Sequence, residues 1–383
     1  MSLKRHLKFH SEVEKKWIEK WFKFVNSSFS SDWKWDYISR NPNLTMEFVK
    51  AHPEYPWNWN ALSSNPNLTM DLIEAHPEYD WNWYMISSHS DLIMDFVKAH
   101  PEYPWDWNRV SSNSNLTMDF VEAHPEYLWS RCNISSHPNL TMDFVEAHPE
   151  YDWKWEYLSC NPNITMDFIK AHPEYSWDWS FVSTNPNLTM DFIKSQPEYP
   201  WDWGCVSINP NLTMDFIEAH PDYTWDWHDV SCHPNLTMDF VEAHPEYPWD
   251  WDGLSLNPNL TMDFIIAHPE YRFNWCHVSR HHNLTMDFIE AHPEYRCCWI
   301  WRRCSNNPNL TIDFVEANIK YDWDWDCLLV KKFSKNKECF MFKEARKYMA
   351  IYKIKNWWKK IYYSPYTKVG KKRLLKSYHD LFD

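Results

Sequence analysis

Residues 41–64 read Asn41-Pro-Asn-Leu-Thr-Met-Glu-Phe-Val-Lys-Ala-His-Pro-Glu-Tyr-Pro-Trp-Asn-Trp-Asn-Ala-Leu-Ser-Ser64, and this stretch decides the fold. Eleven copies keep a strict period of 24 residues, and the twelfth begins at Asn307, two residues late, because Arg296-Cys-Cys adds two residues after Tyr295. Half a unit precedes the first copy at residues 32–39. A repeat of this length is typical of a solenoid in which short supersecondary units stack on one another.

Each unit carries signals for two short helices. Thr45 is suited to cap the first helix, which Pro53 ends, and Leu44 and Val49 are spaced to pack across its start as a hydrophobic staple. We expect the second helix to begin at position 56, where the copies carry a cap residue or proline. It should end at the next Asn-Pro pair, because proline cannot continue a helix.

Helices of about eight residues are marginal alone in water, so neighbouring units must stabilise them. A leucine-rich solenoid has a similar period, but two prolines interrupt each unit where its strands would need backbone donors. The sequence therefore predicts an all-α, right-handed-type solenoid of about twelve two-helix repeats with helical caps at both ends. At helix spacings of about 8–10 Å, a dozen layers would span on the order of 100 Å.

The composition excludes several classes of protein. The 3 glycines are never adjacent, so no phosphate-binding loop, dinucleotide loop or nucleophile elbow is present. The 28 Trp, 21 Tyr and 21 Phe residues exclude a disordered chain. No stretch approaches the roughly eighteen apolar residues of a membrane span, and the start lacks the apolar region of a secretion signal. We therefore expect a soluble, intracellular protein that has no cofactor and is not an enzyme.

Charge divides the chain into three regions. Residues 1–31 carry a net charge of +4, residues 32–328 carry −31 and residues 329–383 carry +12. We interpret them as a basic N-terminal cap helix, an acidic repeat array and a basic, aromatic C-terminal helical cap or tail. The apolar face of the N-terminal helix would comprise Val13, Trp17, Trp21, Phe22 and Val25. The acidic body repels nucleic acid over most of its length, whereas the basic ends offer it a local contact.

The Asn-Pro-Asn-Leu-Thr…His-Pro-Glu-Tyr…Trp-Asp-Trp unit resembles the tandem short repeats of many proteins from giant amoeba-infecting DNA viruses, the mimivirus relatives. The resemblance covers residues 32–328. It implies a viral repeat protein that acts in the host cytoplasm or in the virion. The nucleus is a further alternative, which rests on the short basic run Lys371-Lys372-Arg373. The resemblance implies no catalytic residues and no cofactor.

Two columns of aromatic residues recur in the copies. The tryptophans of Trp57-Asn-Trp59 are either platforms for bases, sugars or proline-rich peptides, or a core in which each layer packs on the next. Repetition in every layer favours the core, and the second Trp is the better core candidate because Leu62 follows it at i+3. The histidines of the His-Pro-Glu-Tyr segment recur one layer apart, which favours a repeated inter-helix turn over an active site or a shared metal.

One cluster near the last copies departs from the pattern. Its side chains are of the types that bind zinc, although no Cys-x-x-Cys spacing occurs, and drift in a terminal repeat is the simpler interpretation. The 10 cysteines keep no common spacing, so we expect reduced thiols. The residues of this weak metal-site candidate are Cys276, His277, His281, His282, Cys297, Cys298 and Cys304.

Four positions of the unit, those equivalent to 56, 60, 61 and 64, change freely among the copies. Variation in size and charge predicts side chains that are not tightly packed and that form a stripe along the second helices. In solenoids such a stripe is the usual place for partner selectivity, and a drifting solvated surface is the alternative. We name the positions equivalent to 60 and 61 the variable stripe; its candidate partner-binding residues are Asn60, Ala61, Tyr84, Met85, Asn108, Arg109, Glu156, Tyr157, Ser180, Phe181, His228, Asp229, Arg302 and Arg303.

The C-terminal segment interleaves aromatic residues with lysines. This composition suits single-stranded nucleic acid, which such segments bind by stacking and charge, and it also suits an anionic membrane surface or the groove of a calmodulin-like protein. The simplest interpretation is a cap over the last layer of the solenoid. The candidate binding residues, here named the basic tail, are Lys353, Lys355, Trp357, Trp358, Lys359, Lys360, Lys371, Lys372 and Arg373.

The sequence thus predicts a monomeric, non-enzymatic scaffold that binds a protein partner through the variable stripe. The alternative is a nucleic-acid-associated protein that binds through the basic tail while the acidic body engages other proteins. The salt dependence of nucleic-acid retention separates the two hypotheses, because binding through phosphate contacts weakens steeply as salt rises.

Overall fold

Helices alone build the described part of the chain. A computed structural model describes residues 3–28, 34–295, 297–334, 337–341, 343–344 and 347. These residues form 26 α-helices and one 3₁₀-helix and no β-strand, which confirms the predicted all-α fold. The chain divides into two compact units. One comprises Met1–Phe29 with Phe333–Asp383, and the other, the repeat array, comprises Ser30–Lys332.

The first helix follows the predicted capping rules in all but two units, where Thr69 makes no side-chain cap bond and Ile93 replaces threonine. In the first copy it spans Met46–Ala51, and the Phe48 N–H donates to the Thr45 hydroxyl oxygen at 3.3 Å. The helix ends before Pro53, as predicted, because the residue preceding proline is disfavoured in helical geometry. The other first helices are Met70–Ala75, Met94–Ala99, Met118–Ala123, Met142–Ala147, Met166–Ala171, Met190–Ser195, Met214–Ala219, Met238–Ala243, Met262–Ala267, Met286–Ala291 and Ile312–Ala317.

The second helix begins three residues later than position 56, where the sequence analysis expected it. In the first copy it spans Trp59–Leu62, and the Asn58 side chain caps it by accepting a hydrogen bond from the Ala61 N–H at 2.9 Å. Position 58 carries Asn or Asp in most copies, which are strong N-cap residues. The other second helices are Lys34–Arg40, Trp83–Ile86, Trp107–Val110, Arg131–Ser135, Trp155–Ser159, Trp179–Thr184, Trp203–Ser207, Trp227–Cys232, Trp251–Leu256, Trp275–Val278, Trp301–Cys304 and Trp325–Val330.

The core lies between layers and is built from the same positions in each copy. Leu44 and Leu62 are fully buried, and Trp57 is 7% exposed with its indole Nε1 donating to the His52 backbone oxygen at 2.8 Å. The expectation that the second Trp is the better core residue was wrong, because Trp59 is only half-buried. The first Trp enters the core because it lies in the non-helical segment that crosses from one helix to the next.

Side-chain amides join each layer to the one before it. The Asn65 Nδ2 donates to the backbone oxygens of Ser39 at 2.8 Å and Asn41 at 3.0 Å, and its Oδ1 accepts the Asn67 N–H at 2.9 Å. Asn65 is fully buried, so its bonds to the two backbone oxygens lie where water does not compete. We name this repeated set the amide ladder. It explains why the first position of the unit carries only asparagine or histidine.

Histidine replaces asparagine at four ladder positions and keeps two of the three connections, without the bond to the serine backbone oxygen. In His137 one ring nitrogen, Nε2, lies 3.0 Å from the Asn113 backbone oxygen, and Nδ1 accepts the Asn139 N–H at 3.1 Å. This pairing requires the neutral ring, with its proton on Nε2. The four histidines are His89, His137, His233 and His281.

These ladder histidines should make folding sensitive to acid. Burial lowers the pKa of His137, His233 and His281 below the ordinary value. Below the pKa of the unfolded chain, about 6.5, the unfolded chain therefore binds more protons than the folded chain, and the free energy of unfolding falls as the pH falls. We expect the triple replacement His137→Asn, His233→Asn and His281→Asn to lose less stability between about pH 7.5 and pH 5, by a difference on the order of 1 kcal/mol. Urea unfolding at both pH values measures it, and equal losses in the two proteins would contradict the assignment.

The array closes on itself. The array begins with the helix Lys34–Arg40. This helix packs against Trp59–Leu62 on one side and against Trp325–Val330, the last of the second helices, on the other. Neighbouring second helices approach each other more closely than neighbouring first helices do, so the array curves toward its second helices. The thirteen second helices of the described array therefore form a ring, whereas the sequence analysis expected an open array with a length on the order of 100 Å.

The amide ladder continues across this closure. Asn41 Nδ2 donates to the backbone oxygens of Leu329 and Lys331. In the contacts of Asn65, the equivalent acceptors are the backbone oxygens of Ser39 and Asn41. The Asn43 Nδ2 also donates to the Lys331 oxygen, at 3.1 Å. The first layer thus bonds to the last layer in the way that each copy bonds to the copy before it. Closure buries apolar side chains that an open end would expose to water.

The second unit joins the two ends of the chain. The N-terminal helix spans Leu3–Ser28, and its predicted apolar face is buried, as expected for an amphipathic helix. Its Trp17 ring packs on Phe340 with 5.7 Å between ring centroids, and Phe24 packs edge-on against Phe333 at 6.0 Å. The sequence analysis treated these segments as separate caps, and the structure makes them one compact unit.

Ion pairs accompany the apolar contacts of this unit. The Lys337 Nζ lies 3.1 Å from a Glu14 carboxylate oxygen, and the Lys16 Nζ lies 3.2 Å from Glu344. Exposed pairs of this kind contribute about 0–1 kcal/mol each, so apolar packing dominates. Within the described residues, no helix has both the length and the apolar character needed to cross a membrane.

Candidate functional site

The variable stripe lies on the second helices, and most of it is exposed. Arg109 and Asp229 are half-buried. Ala61 is a correction to the predicted stripe: it is 1% exposed, because its methyl group does not reach beyond the neighbouring side chains. The exposed members are Asn60, Tyr84, Met85, Asn108, Glu156, Tyr157, Ser180, Phe181, His228, Arg302 and Arg303.

Large apolar side chains that remain exposed are concentrated on the second helices and at their ends. Of the 10 such residues in the described chain, eight occupy the four positions that vary among copies. Exposed aromatic and aliphatic groups that recur at a few positions of a repeat are candidates for a protein-binding surface. The eight residues are Tyr84, Met85, Leu128, Tyr157, Phe181, Ile208, Leu256 and Val330.

Position 60 of one copy contacts the helix cap of the next copy. The Ser180 hydroxyl donates to an Asp202 carboxylate oxygen at 2.9 Å, and His228 Nδ1 lies 3.0 Å from Asp250 Oδ1. The hydrogen bond with Asp250 raises the pKa of His228. The Cys205 N–H, followed by the Ser180 hydroxyl, lowers the pKa of Asp202. In these copies the cap carboxylate and the variable stripe are therefore in direct contact, which was not predicted because position 58 had no assigned role.

Arginines of the stripe are held by neighbouring copies. The Arg109 guanidinium lies over the Tyr84 ring, 3.9 Å from its centroid, and also donates to the Tyr84 hydroxyl. The Arg302 Nε lies 3.8 Å from an Asp324 carboxylate oxygen. Side chains ordered in this way lose less conformational freedom when a partner binds.

A groove opens beside the first two layers of the array. It has a volume of about 550 Å³, and its walls include the rings of Trp35, Trp57 and Trp59. The carboxylates of Asp36 and Asp80 line it as well. Aromatic faces with nearby carboxylates suit a cationic or amphipathic side chain. The sequence analysis did not identify this groove, because it treated residues 32–39 only as half a copy preceding the array.

The second tryptophans do not form open platforms. The Trp59 ring stacks on Tyr79 of the next copy, with 3.8 Å between centroids and 14° between planes, and Tyr79 stacks in turn on His76 at 4.7 Å. The edge of Trp59 meets Trp81 at 5.5 Å. Because a neighbouring ring already covers one face of the indole, the column of second tryptophans mainly packs one layer on the next.

The repeated histidines lie at the C-terminal end of each first helix. In the copy that begins at Asn161, His172 Nδ1 lies 3.1 Å from Glu174, and Nε2 lies 3.2 Å from Glu146 of the preceding copy. The His172 ring stacks on Tyr175 at 4.9 Å. These contacts are those of an inter-helix turn with a hydrogen-bonded connection between layers, which is the interpretation that the sequence favoured.

The candidate metal cluster does not converge in the structure. His281 belongs to the amide ladder and contacts the Asn257 backbone oxygen at 2.9 Å. His277 Nδ1 lies 2.9 Å from the Arg280 guanidinium, whose positive charge opposes that of a metal ion. The exposed His282 stacks its ring on His281.

The cysteines of that cluster also lie in different environments. Cys304 is fully buried at a core position, and burial raises its pKa to about 12. Cys276 is half-buried on a second helix, whereas Cys297 and Cys298 lie in a turn. Among the described residues, no three His, Cys, Asp or Glu side chains are placed to hold a metal together.

Every residue of the basic tail lies outside the described residues. A scan against protein-family models finds no match, and searches of curated proteins and of solved structures find no similar protein.

Proposed function

We propose that this chain is a non-enzymatic scaffold that binds a protein partner along the variable stripe of its repeat array. The observation that carries the proposal is the concentration of exposed apolar side chains at the positions that vary among copies. The invariant positions make the core and the amide ladder, so variation is confined to surface that is free to differ. The resemblance to repeat proteins of amoeba-infecting viruses supports a role in the infected host cell.

The charge of the repeat array indicates which kind of partner surface is complementary to it. Residues 32–328 carry a net charge of −31, and Asp or Asn caps alternate with the aromatic and aliphatic groups of the stripe. A partner surface that offers apolar side chains within a basic rim is complementary to this arrangement. The groove beside Trp35 and Trp59, with its two carboxylates, is a suitable receptor for one such basic side chain.

Partner retention should depend on the stripe. We expect the triple replacement Tyr84→Ser, Tyr157→Ser and Phe181→Ser to lower the amount of partner retained from nuclease-treated host lysate by at least about 10-fold, because a few aromatic anchors carry most of the energy of an interface. Quantitative mass spectrometry of the retained proteins measures the effect.

A matched control is available in Ile93 and Ile319, which are exposed apolar residues away from the stripe. Replacing both with Ser should change retention by less than about 2-fold. Equal retention by the stripe variant and the native protein, with both folded by circular dichroism, would overturn the proposal.

We also propose an alternative, in which the basic tail binds nucleic acid while the array engages other proteins. It is supported by the +12 charge of residues 329–383 and by the aromatic residues among them. Retention of single-stranded nucleic acid that falls steeply with salt, and that is lost when Lys371, Lys372 and Arg373 become Ser, supports it. Salt-independent retention, or none, contradicts it.

A further inference from the structure

The joint between the copies that begin at His281 and Asn307 is irregular. A single residue separates Tyr55 from Trp57 in the first copy, whereas three separate Tyr295 from Trp299 here. The additional length is accommodated by a short 3₁₀-helix at Pro293–Tyr295 and a turn that contains Cys297 and Cys298.

This irregularity removes contacts that the other joints make. Trp299 is 4% exposed, yet its indole Nε1 has no hydrogen-bond partner in the described structure. The equivalent Trp57 donates to the His52 backbone oxygen. The rings of His292 and Tyr295 are 6.4 Å apart and tilted by 60°, whereas the equivalent rings elsewhere stack.

A cavity of about 200 Å³ lies beside the same joint. Pro293, Trp301, Phe314 and Tyr321 are among the residues that line it. Unfilled volume and an unpaired indole mean that this turn is held by fewer interactions than the equivalent turn in other copies. Its backbone is therefore easier to adjust.

Two adjacent thiols occupy the turn. The Sγ atoms of Cys297 and Cys298 lie 3.9 Å apart, and the Cys298 N–H donates to the Tyr295 backbone oxygen at 2.8 Å. Cys297 is exposed and Cys298 is half-buried. Burial, followed by the hydrogen bond with Cys297, raises the pKa of the Cys298 thiol. A reagent arriving from solvent therefore meets Cys297 first.

We propose that Cys297 and Cys298 form an oxidation site that reacts with a hydroperoxide and closes a disulfide between the two neighbouring residues. The Cys297 thiolate attacks one peroxide oxygen, the O–O bond breaks, and Cys297 becomes a sulfenic acid while the first water leaves. The Cys298 sulfur then attacks the Cys297 sulfur, the S–O bond breaks and the second water leaves. Two thiols are oxidised by two electrons, and one hydrogen peroxide is reduced to two waters.

The surroundings explain why this turn is suited to the reaction. Closing the bond brings the two sulfurs together from 3.9 Å, which requires the turn to move, and the missing Trp299 hydrogen bond and the adjacent cavity lower the resistance to that movement. Three other thiols lie in different surroundings. Cys160 and Cys232 each donate to a backbone oxygen of their own second helix, and Cys304 is buried. The proposal does not depend on the scaffold function.

Peptide mapping of the full-length protein tests the proposal. Trypsin cleaves after Arg296 and Arg302, so both cysteines fall in the single peptide Cys297-Cys-Trp-Ile-Trp-Arg302. After treatment with hydrogen peroxide, we expect this peptide to have lost two hydrogens and to resist iodoacetamide until dithiothreitol is added. The peptide that contains Cys232 should remain open to alkylation and provides the internal control. Full alkylation of both residues after peroxide, or a bond from either residue to another cysteine, would overturn the proposal.

Single replacements test the order of attack. In Cys298→Ser the reaction should stop at the sulfenic acid of Cys297, which dimedone traps. In Cys297→Ser the trapping of Cys298 should be at least about 10-fold slower, because that sulfur is less exposed and burial raises the pKa of its thiol. Equal or faster trapping of Cys298 would overturn the assignment of Cys297 as the attacking thiol.

Discussion

Spin labels at positions 36 and 326 should lie within about 25 Å of each other, although 290 residues separate them in the chain. Both positions are exposed. Position 36 lies on Lys34–Arg40 and position 326 on Trp325–Val330, and these two helices pack directly against each other. An open array of twelve layers would hold the labels on the order of 100 Å apart, beyond the range of pulsed dipolar spectroscopy. The labels are best attached to unnatural amino acids, because the chain has 10 cysteines of its own.

A second pair of labels distinguishes the ring from a collapsed array. Positions 36 and 180 are six layers apart and lie on opposite sides of a thirteen-layer ring, so we expect a distance of about 40 Å between them. A short distance for the first pair together with about 40 Å for the second fits only closure. The absence of a measurable distance between positions 36 and 326 would contradict it.

The replacement Asn185→Ala should lower the free energy of unfolding by about 2–4 kcal/mol. The fully buried Asn185 side chain donates to the backbone oxygens of Ser159 and Asn161, both at 3.1 Å, and accepts the Asn187 N–H at 2.9 Å. Alanine removes the hydrogen bonds to the Ser159 oxygen and to the part-buried Asn187 N–H, whereas the Asn161 oxygen keeps the Ile164 N–H as a donor at 3.0 Å. Each group left unpaired costs about 1–3 kcal/mol, which adjustment of the neighbouring layers reduces in part. Urea unfolding monitored by circular dichroism measures the loss.

The chain itself supplies the control for this experiment. Histidine already replaces asparagine at His137 and three other ladder positions, where its ring nitrogens keep the contacts equivalent to those with Asn161 and Asn187. Asn185→His should therefore cost less than about 1 kcal/mol at neutral pH. If the alanine and histidine variants are equally stable, the amide ladder does not hold the layers together.

The local parts of the fold were predictable because neighbouring residues determine them. Thr45 caps the first helix, Pro53 ends it, and Leu44 and Val49 are buried as the staple spacing predicts. The second helix was placed too early, because proline at position 56 suits a helix start as well as an extended turn. That error also misassigned the two tryptophans, since the i+3 argument for the second Trp assumed a helix that already included the first.

Closure was not predictable from the period. Curvature depends on the difference in spacing between first and second helices, and small differences add up over thirteen layers. No pattern within one copy reports that difference. The surface positions were predicted better: variation among copies identified candidate residues that are exposed or half-buried, except for Ala61, which lacks the length to reach the surface. The groove beside Trp35 was missed because it needs two layers to form its walls.

Closure also restricts how this protein can evolve. Genes for repeats gain and lose whole copies by recombination, and an open array absorbs such changes at its ends. A ring of thirteen layers turns by about 28° at each step, and a fourteenth layer would require about 26° at every joint. A gained copy must therefore be accommodated by all the others at once or leave the ring open. Selection consequently acts on the number of copies, whereas single substitutions in the stripe remain free to follow a changing partner.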